Sequence, residues 1–411
     1  MNMERLNLEK FKIMAAAATL AMFAGTACAH VEVYGEVNKA FEQVWADKQD
    51  TGVIVDNNYS PSKFGITGTG NLSKCTVVGG VAELQLMPNN TRLVNQLQTD
   101  SSSTRLVLAR QVDSWVSGGM WGKLSLGLGY AASYGITDIS YAGTNQTSLG
   151  SSVANNAGGM FFGRKNLNAT IDDPTVNEVF NALNGVGDID SLNAVFSTKE
   201  RVRYDTASWM GFKLSASYGN TANKYVLWST QVTNPNYSRR TYTDVALRYD
   251  ACWDDFHLGA GVAGAWFTRD HTAATTTLAA ATRNERAWSA SIAVEHKPTG
   301  FNAAVAGGQK RQGLATHDDY EFWYIQLGKK FCFTSYGKTN FAIDYFQSKN
   351  AIVNDSKGKT FGFGVTQELQ KINSALYASL RNYKYDNVPN VNYQDLFVGS
   401  IGIQFKFGAM L

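Results

Sequence analysis

Apolar and polar residues alternate with a period of two along almost the whole chain after residue 30, and no later apolar run approaches the ~20 residues of a membrane-spanning helix. Near the start, Val31, Val33, Gly35 and Val37 interleave with Glu32, Tyr34, Glu36 and Asn38. At the end, Ile401, Ile403, Phe405, Phe407, Ala409 and Leu411 interleave with Gly402, Gln404, Lys406, Gly408 and Met410. Successive side chains of a strand point to opposite faces, so each segment has one apolar and one polar face. Two architectures accept such strands. One is a water-soluble sandwich; the other is a barrel that crosses a membrane with ~10 residues per strand.

The connections separate the two. Strands are expected at about 31–45, 60–70, 75–87, 104–116, 122–133, 199–207, 211–219, 240–250, 256–267, 285–295, 301–310, 319–332, 339–348, 358–368, 374–384 and 395–411. Short turns, such as Gly70–Lys74, Ser117–Trp121, Ala251–Asp255 and His296–Gly300, alternate with longer polar segments. Short turns at one end and long loops at the other are the pattern of an outer-membrane barrel. Tryptophan agrees. Trp115, Trp121, Trp209 and Trp253 lie in or beside short turns, whereas Trp45, Trp266, Trp288 and Trp323 lie near long-loop ends. Two interfacial girdles produce that split, while a sandwich would keep tryptophan mid-strand. The expected fold is all-β: a transmembrane antiparallel β-barrel of sixteen strands.

The first 29 residues stand apart from this pattern. Arg5, Lys10 and Lys12 precede an uncharged run from Ile13 to Ala29, which ends in the small-x-small triplet Ala27-Cys28-Ala29. It reads as a signal peptide cleaved between Ala29 and His30, leaving residues 30–411 as a single domain exported beyond an inner membrane. The net charge of +3 gives no reason to expect a nucleic-acid partner. The remaining cysteines, Cys75, Cys252 and Cys332, contain no CxxC spacing, and the five histidines do not cluster with them. No metal and no other cofactor is expected.

Several segments together resemble one family. Val31–Asn38 (VEVYGEVN) is similar to the opening strand of the general porins of Gram-negative bacteria. Ser62–Gly68 (SKFGITG) and Ala82–Leu86 (AELQL) resemble its next two strands, and Trp121–Tyr134 (WGKLSLGLGYAASY) the strand that leads into its constriction loop. Arg201–Gly219 (RVRYDTASWMGFKLSASYG) is the most specific match, followed by Phe361–Leu369 (FGFGVTQEL) and Leu376–Tyr383 (LYASLRNY). The resemblance implies a trimeric outer-membrane diffusion channel for small hydrophilic solutes and ions, set among lipid and lipopolysaccharide. It implies no enzymatic activity, and no serine elbow accompanies His257, His271, His296 or His317. A substrate-selective channel and a structural or adhesive barrel are the alternatives. In the family's trimer the terminal strands would meet, with Arg92–Thr99 latching over a neighbour.

The same resemblance places a constriction loop at about 135–198, folded into the barrel. It carries Asp138, Asp172, Asp173, Glu178, Asp188 and Asp190. Within it, Thr175–Leu183 reads as a short helix, capped by Asp173 with Pro174 in its first turn. Alternation gives lumen phase to a basic wall of Lys63, Arg105, Arg201, Arg203, Arg248 and Arg381. Glu36 and Leu128 stand where the family often has basic residues. With six loop acids, this predicts weak cation selectivity. Lys39 has the outward phase, which a subunit contact, snorkelling to headgroups or a bulge would each explain.

Overall fold

The computed structural model describes residues 29–86, 88–100, 107–183, 198–220, 240–269, 285–311, 317–386 and 388–410. Residues 1–28 of the expected signal peptide, Arg105, Asp188 and Asp190 lie outside the described residues.

The wall is built from β1 (Ala29–Trp45), β2 (Thr51–Asp56), β3 (Lys63–Ser73), β4 (Thr76–Leu86), β5 (Val107–Gly118), β6 (Gly122–Tyr130), β7 (Thr198–Asp205), β8 (Phe212–Asn220) and β9 (Arg240–Trp253). It continues through β10 (Phe256–Arg269), β11 (Glu285–His296), β12 (Phe301–Arg311), β13 (Tyr320–Thr334), β14 (Gly337–Lys349), β15 (Lys357–Leu369), β16 (Ser374–Asp386) and β17 (Leu396–Met410). Neighbours are antiparallel, and β1 closes on β17 in unbroken register from Glu32–Met410 to Trp45–Phe397. β2 and β3 share one position in the wall, because β1 pairs with β3 over Ala29–Glu36 and with β2 over Lys39–Val44. The result is a closed sixteen-stranded barrel.

Alternation sorts the two faces as the sequence requires. Val37, Phe41, Leu126, Val202, Val262 and Ile401 are exposed on the outside, whereas Glu36, Asn38, Glu83, Ser215 and Asp244 are buried inside. Trp45, Trp266, Trp288 and Trp323 at one rim, and Trp121, Trp209 and Trp253 at the other, are all exposed. Cys75, Cys252 and Cys332 are exposed and fall at the short-turn ends.

The expected second strand, 60–70, is found as β3 (Lys63–Ser73), and a short strand that the sequence reading did not anticipate precedes it. Val53 and Val55 point inward around an exposed Ile54, making Thr51–Asp56 a strand of its own. Its alternation is brief and runs straight into the polar Asp56-Asn57-Asn58, so nothing in the sequence separates it from a loop.

The long connection after β6 folds into the barrel. Phe162 and Phe180, from this loop, pack among the wall rings Phe346, Tyr383 and Tyr385, with centroids 5.4–5.9 Å apart for the edge-on contacts of Phe180 with Phe346 and Tyr383 and 5.8 Å for Phe162 with Tyr385. Wall side chains satisfy the loop backbone around its course. Ser217 Oγ accepts from Ala132 N at 3.0 Å and Asp244 from Ser133 N at 2.6 Å. Tyr383 Oη donates to Val153 O at 2.7 Å, and Ser348 Oγ to Val179 O at 2.8 Å. The Tyr320 hydroxyl both donates to Asn181 O and accepts from Asn181 N. A buried loop needs such partners for every backbone group, and here the polar inner wall supplies them.

The loop helix is shorter than the sequence predicts. α1 is the single turn Val176–Val179, capped by Thr175 in a reciprocal capping box with Glu178. Asp173 does not cap it; its carboxylate instead accepts from Thr170 N at 2.9 Å. Phe162 N bonds Pro174 O and Phe161 bridges Thr175, which hold residues 174–175 extended and delay the helix.

Candidate functional site: the lumen and its constriction

Inside the wall lies an open cavity of about 1000 Å³, and its charged lining comprises Glu32, Glu36, Lys63, Arg92, Arg110, Asp138 and Lys406. Lys63 projects from β3 and meets Glu36 of β1 at 2.7 Å, where Gln404 also donates to the carboxylate at 2.7 Å. Arg110 reaches both Glu83 of β4 and the Tyr130 hydroxyl. Asp138, at the end of a short 3-10 turn (Ile136–Asp138), brings the loop's carboxylate to the cavity. Lys406 of β17 donates to Gln146 Oε1 of the loop at 3.1 Å.

Three further wall arginines clamp the root of the loop. Arg201 forms a bidentate pair with Asp113 and donates to Tyr130 O at 2.9 Å. Arg203 grips Asp205 at 2.7 Å and donates to Ala131 O at 2.9 Å. Arg248 donates to Ala132 O at 2.8 Å and to Tyr134 O at 2.5 Å. Guanidinium groups present several planar donors, so one side chain can hold a carboxylate and a turning backbone together. Lower down, Tyr141 stacks on His257 with centroids 4.1 Å apart and donates to Asp250 at 3.2 Å. Burial and the neighbouring Asp250 carboxylate push the Tyr141 hydroxyl pKa up, keeping it a donor.

The sequence profile described as Gram-negative porin matches residues 15–388. The chain belongs to the Gram-negative porin family. No individual curated protein sequence matches it. Among solved structures, the porin is similar to an anion-selective porin from Comamonas acidovorans, at 16% identity and a TM-score of 0.58 over 92% of this chain and 100% of that one. It is also similar to OmpF of Salmonella typhi in complex with daunomycin (12% identity, TM-score 0.56, 92% and 97% covered). A third is the trimer form of OmpT, an outer-membrane protein of Vibrio cholerae (12% identity, TM-score 0.51, 92% and 99% covered). At these identities the likeness is one of fold.

Several of the porin's expected site residues lie elsewhere than in the open lumen. Arg381 is wholly buried, 2.7 Å from Asp344. Asp173 is buried 3.4 Å from Arg164, and Glu178 is occupied in the capping box. Asp172 is exposed beside them, on a stretch that bridges Tyr393 through Arg164. Of the four described loop acids, Asp138 alone lines the cavity. Leu128 faces outward between Val112 and Glu200, so it takes no charge from the lumen.

Sequence reasoning missed Arg110. In β5 the register skips from Gln111, opposite Glu83, to Ala109, opposite Leu84. Arg110 is the extra residue of a β-bulge, and it joins the inner face that strict alternation would deny it. Lys39 needs no bulge: it keeps the outward phase, its ammonium 2.7 Å from the buried Asp56 on β2.

Proposed function

We propose that the porin is a passive channel for small hydrophilic solutes and ions, assembled as a homotrimer among lipid and lipopolysaccharide after cleavage before His30. The observation that carries this reading is the open, charge-lined cavity narrowed by a loop stitched to the inner wall. Its lining is rich in charged and polar side chains, suited to solutes that keep their hydration. The trimer form of Vibrio OmpT supports the assembly; the contact proposed for this chain is made by β1, β3, β4 and β17. Arg92–Thr99 serves as latch only through its outer side chains, since Arg92 and Gln96 are tied to the same chain's Asn155 and Phe161.

The few-fold cation preference expected from six loop acids finds little support. The lining carries Lys63, Arg92, Arg110 and Lys406 against Glu32, Glu36 and Asp138. Such a balance favours weak discrimination of either sign. Single-channel recording in a planar bilayer under a potassium chloride gradient tests both points. Ohmic steps with a small reversal potential are expected; absence of conductance, or saturation by one sugar, would defeat the general-channel reading.

A further inference from the structure

The outer surface of β10–β14 carries two stacked rows of side chains at the short-turn end of the barrel. In the row nearest the turns, Phe256, His296, Phe301, Lys329 and Phe341 stand in direct cross-strand register. In the row above, Val294, Ala303, Leu327 and Ile343 do the same, continuing to Phe363 on β15. Ala303 is the smallest member, and between its larger neighbours an apolar recess of about 540 Å³ opens on the outside wall.

A cation closes the lower edge of this recess. Lys329 Nζ lies 3.8 Å from the centre of the Phe301 ring and 5.2 Å from that of Phe331, and it donates to Thr299 O in the β11–β12 turn. The rings and the carbonyl hold the ammonium at the depth of the turns, where headgroups lie. Lys297 is exposed in the same turn. Glu295 faces the lumen and pairs with Lys330 at 2.7 Å, so it does not neutralise the outer row. Asp255 of the preceding turn lies beside Lys297, whose backbone N–H donates to Asp255 O at 2.7 Å, so Lys329 is the cation that marks the recess.

We propose that this recess is a binding site for an anionic phospholipid of the periplasmic leaflet. An acyl chain fills the dent over Ala303, and the headgroup phosphate meets Lys329. A basic residue at the membrane surface attracts anionic lipid, and a cation held over aromatic faces keeps its charge while partly dehydrated. The recess, on β10–β15, is separated from β17 by β16 and from β4 by β5–β9, so it lies outside the strands of the proposed trimer contact.

Native mass spectrometry of the folded porin, offered phosphatidylglycerol or phosphatidylcholine with identical chains, tests this. The unaltered protein is expected to retain phosphatidylglycerol several-fold better. K329Q should abolish that preference, A303F should weaken retention of both lipids, and K74Q, in the β3–β4 turn, should change neither. Equal retention of the two lipids by the unaltered chain, or an unchanged preference in K329Q, overturns the proposal; so does full retention by A303F. Heat-modifiable migration reports folding of each variant, and conductance of the same preparation reports separately on the channel.

Discussion

Arg201 of β7 and Asp113 of β5 form a bidentate ion pair, 2.8 and 2.6 Å, that spans the whole width of β6. The two strands are not neighbours; Gly127 of β6 is in register with both residues. The pair passes over a strand that has no side chain there, and it ties the wall on both sides of the loop's root into one unit.

Removing one partner of this pair should cost more than removing both. Arg201 and Asp113 are each almost fully buried, and a buried charge stripped of its partner typically costs about 3–5 kcal/mol. R201A should lower the temperature of unfolding in detergent markedly, D113N/R201Q much less. Comparable losses in the single and double variants would show that the two charges are not coupled.

Gly127 should tolerate no side chain. Its φ of +138° is reserved for glycine, and a Cβ there would lie 2.3 Å from Val112 O. G127A is expected to fold poorly or to migrate as a heat-labile species, whereas G68A, where nothing stands within 4 Å, should resemble the unaltered porin. Equal heat stability of the two variants would contradict the geometry.

Asp138 should govern whatever ion preference the loop confers. D138N is expected to shift the reversal potential toward anions, most clearly at low salt, where the screening length approaches ~30 Å at 0.01 M. The triple change D172N/D173N/E178Q should move it little, because those acids lie away from the cavity lining. A larger shift from the triple change would relocate the constriction to the upper part of the loop.

Glu42 should be replaceable at a profit in stability. It is buried on the inner face of β1, opposite Ser400 of β17, and its Oε2 has no hydrogen-bond partner among the described residues. Asn156 Nδ2, on the loop, is likewise unsatisfied. Leaving a polar atom buried without a partner costs about 1–3 kcal/mol. E42Q removes the charge at nearly constant shape and should unfold later on heating; earlier unfolding would mean that the carboxylate has a partner in solution, such as a bound water.

The sequence by itself determined the barrel. Outward Phe405 and Phe407 beside inward Gln404 and Lys406 show why: period-two alternation is local, and a membrane outside with water inside enforces it strand by strand. The alternation of short turns and long loops then set the strand count, and the two tryptophan rims marked the two ends of the barrel. What only tertiary structure decided are the departures from local periodicity and the contacts between segments distant in the chain. The bulge that turns Arg110 into the lumen adds one residue with no signature of its own. The division of Thr51–Asp56 from β3 depends on how β1 is shared. Above all, the loop's acids looked alike in sequence, and docking assigned Asp138 to the cavity, Asp173 to Thr170 and Arg164, and Glu178 to a cap. Alternation states which face a strand residue takes; for a loop, only the partners it meets across the barrel decide which charges remain for the solute.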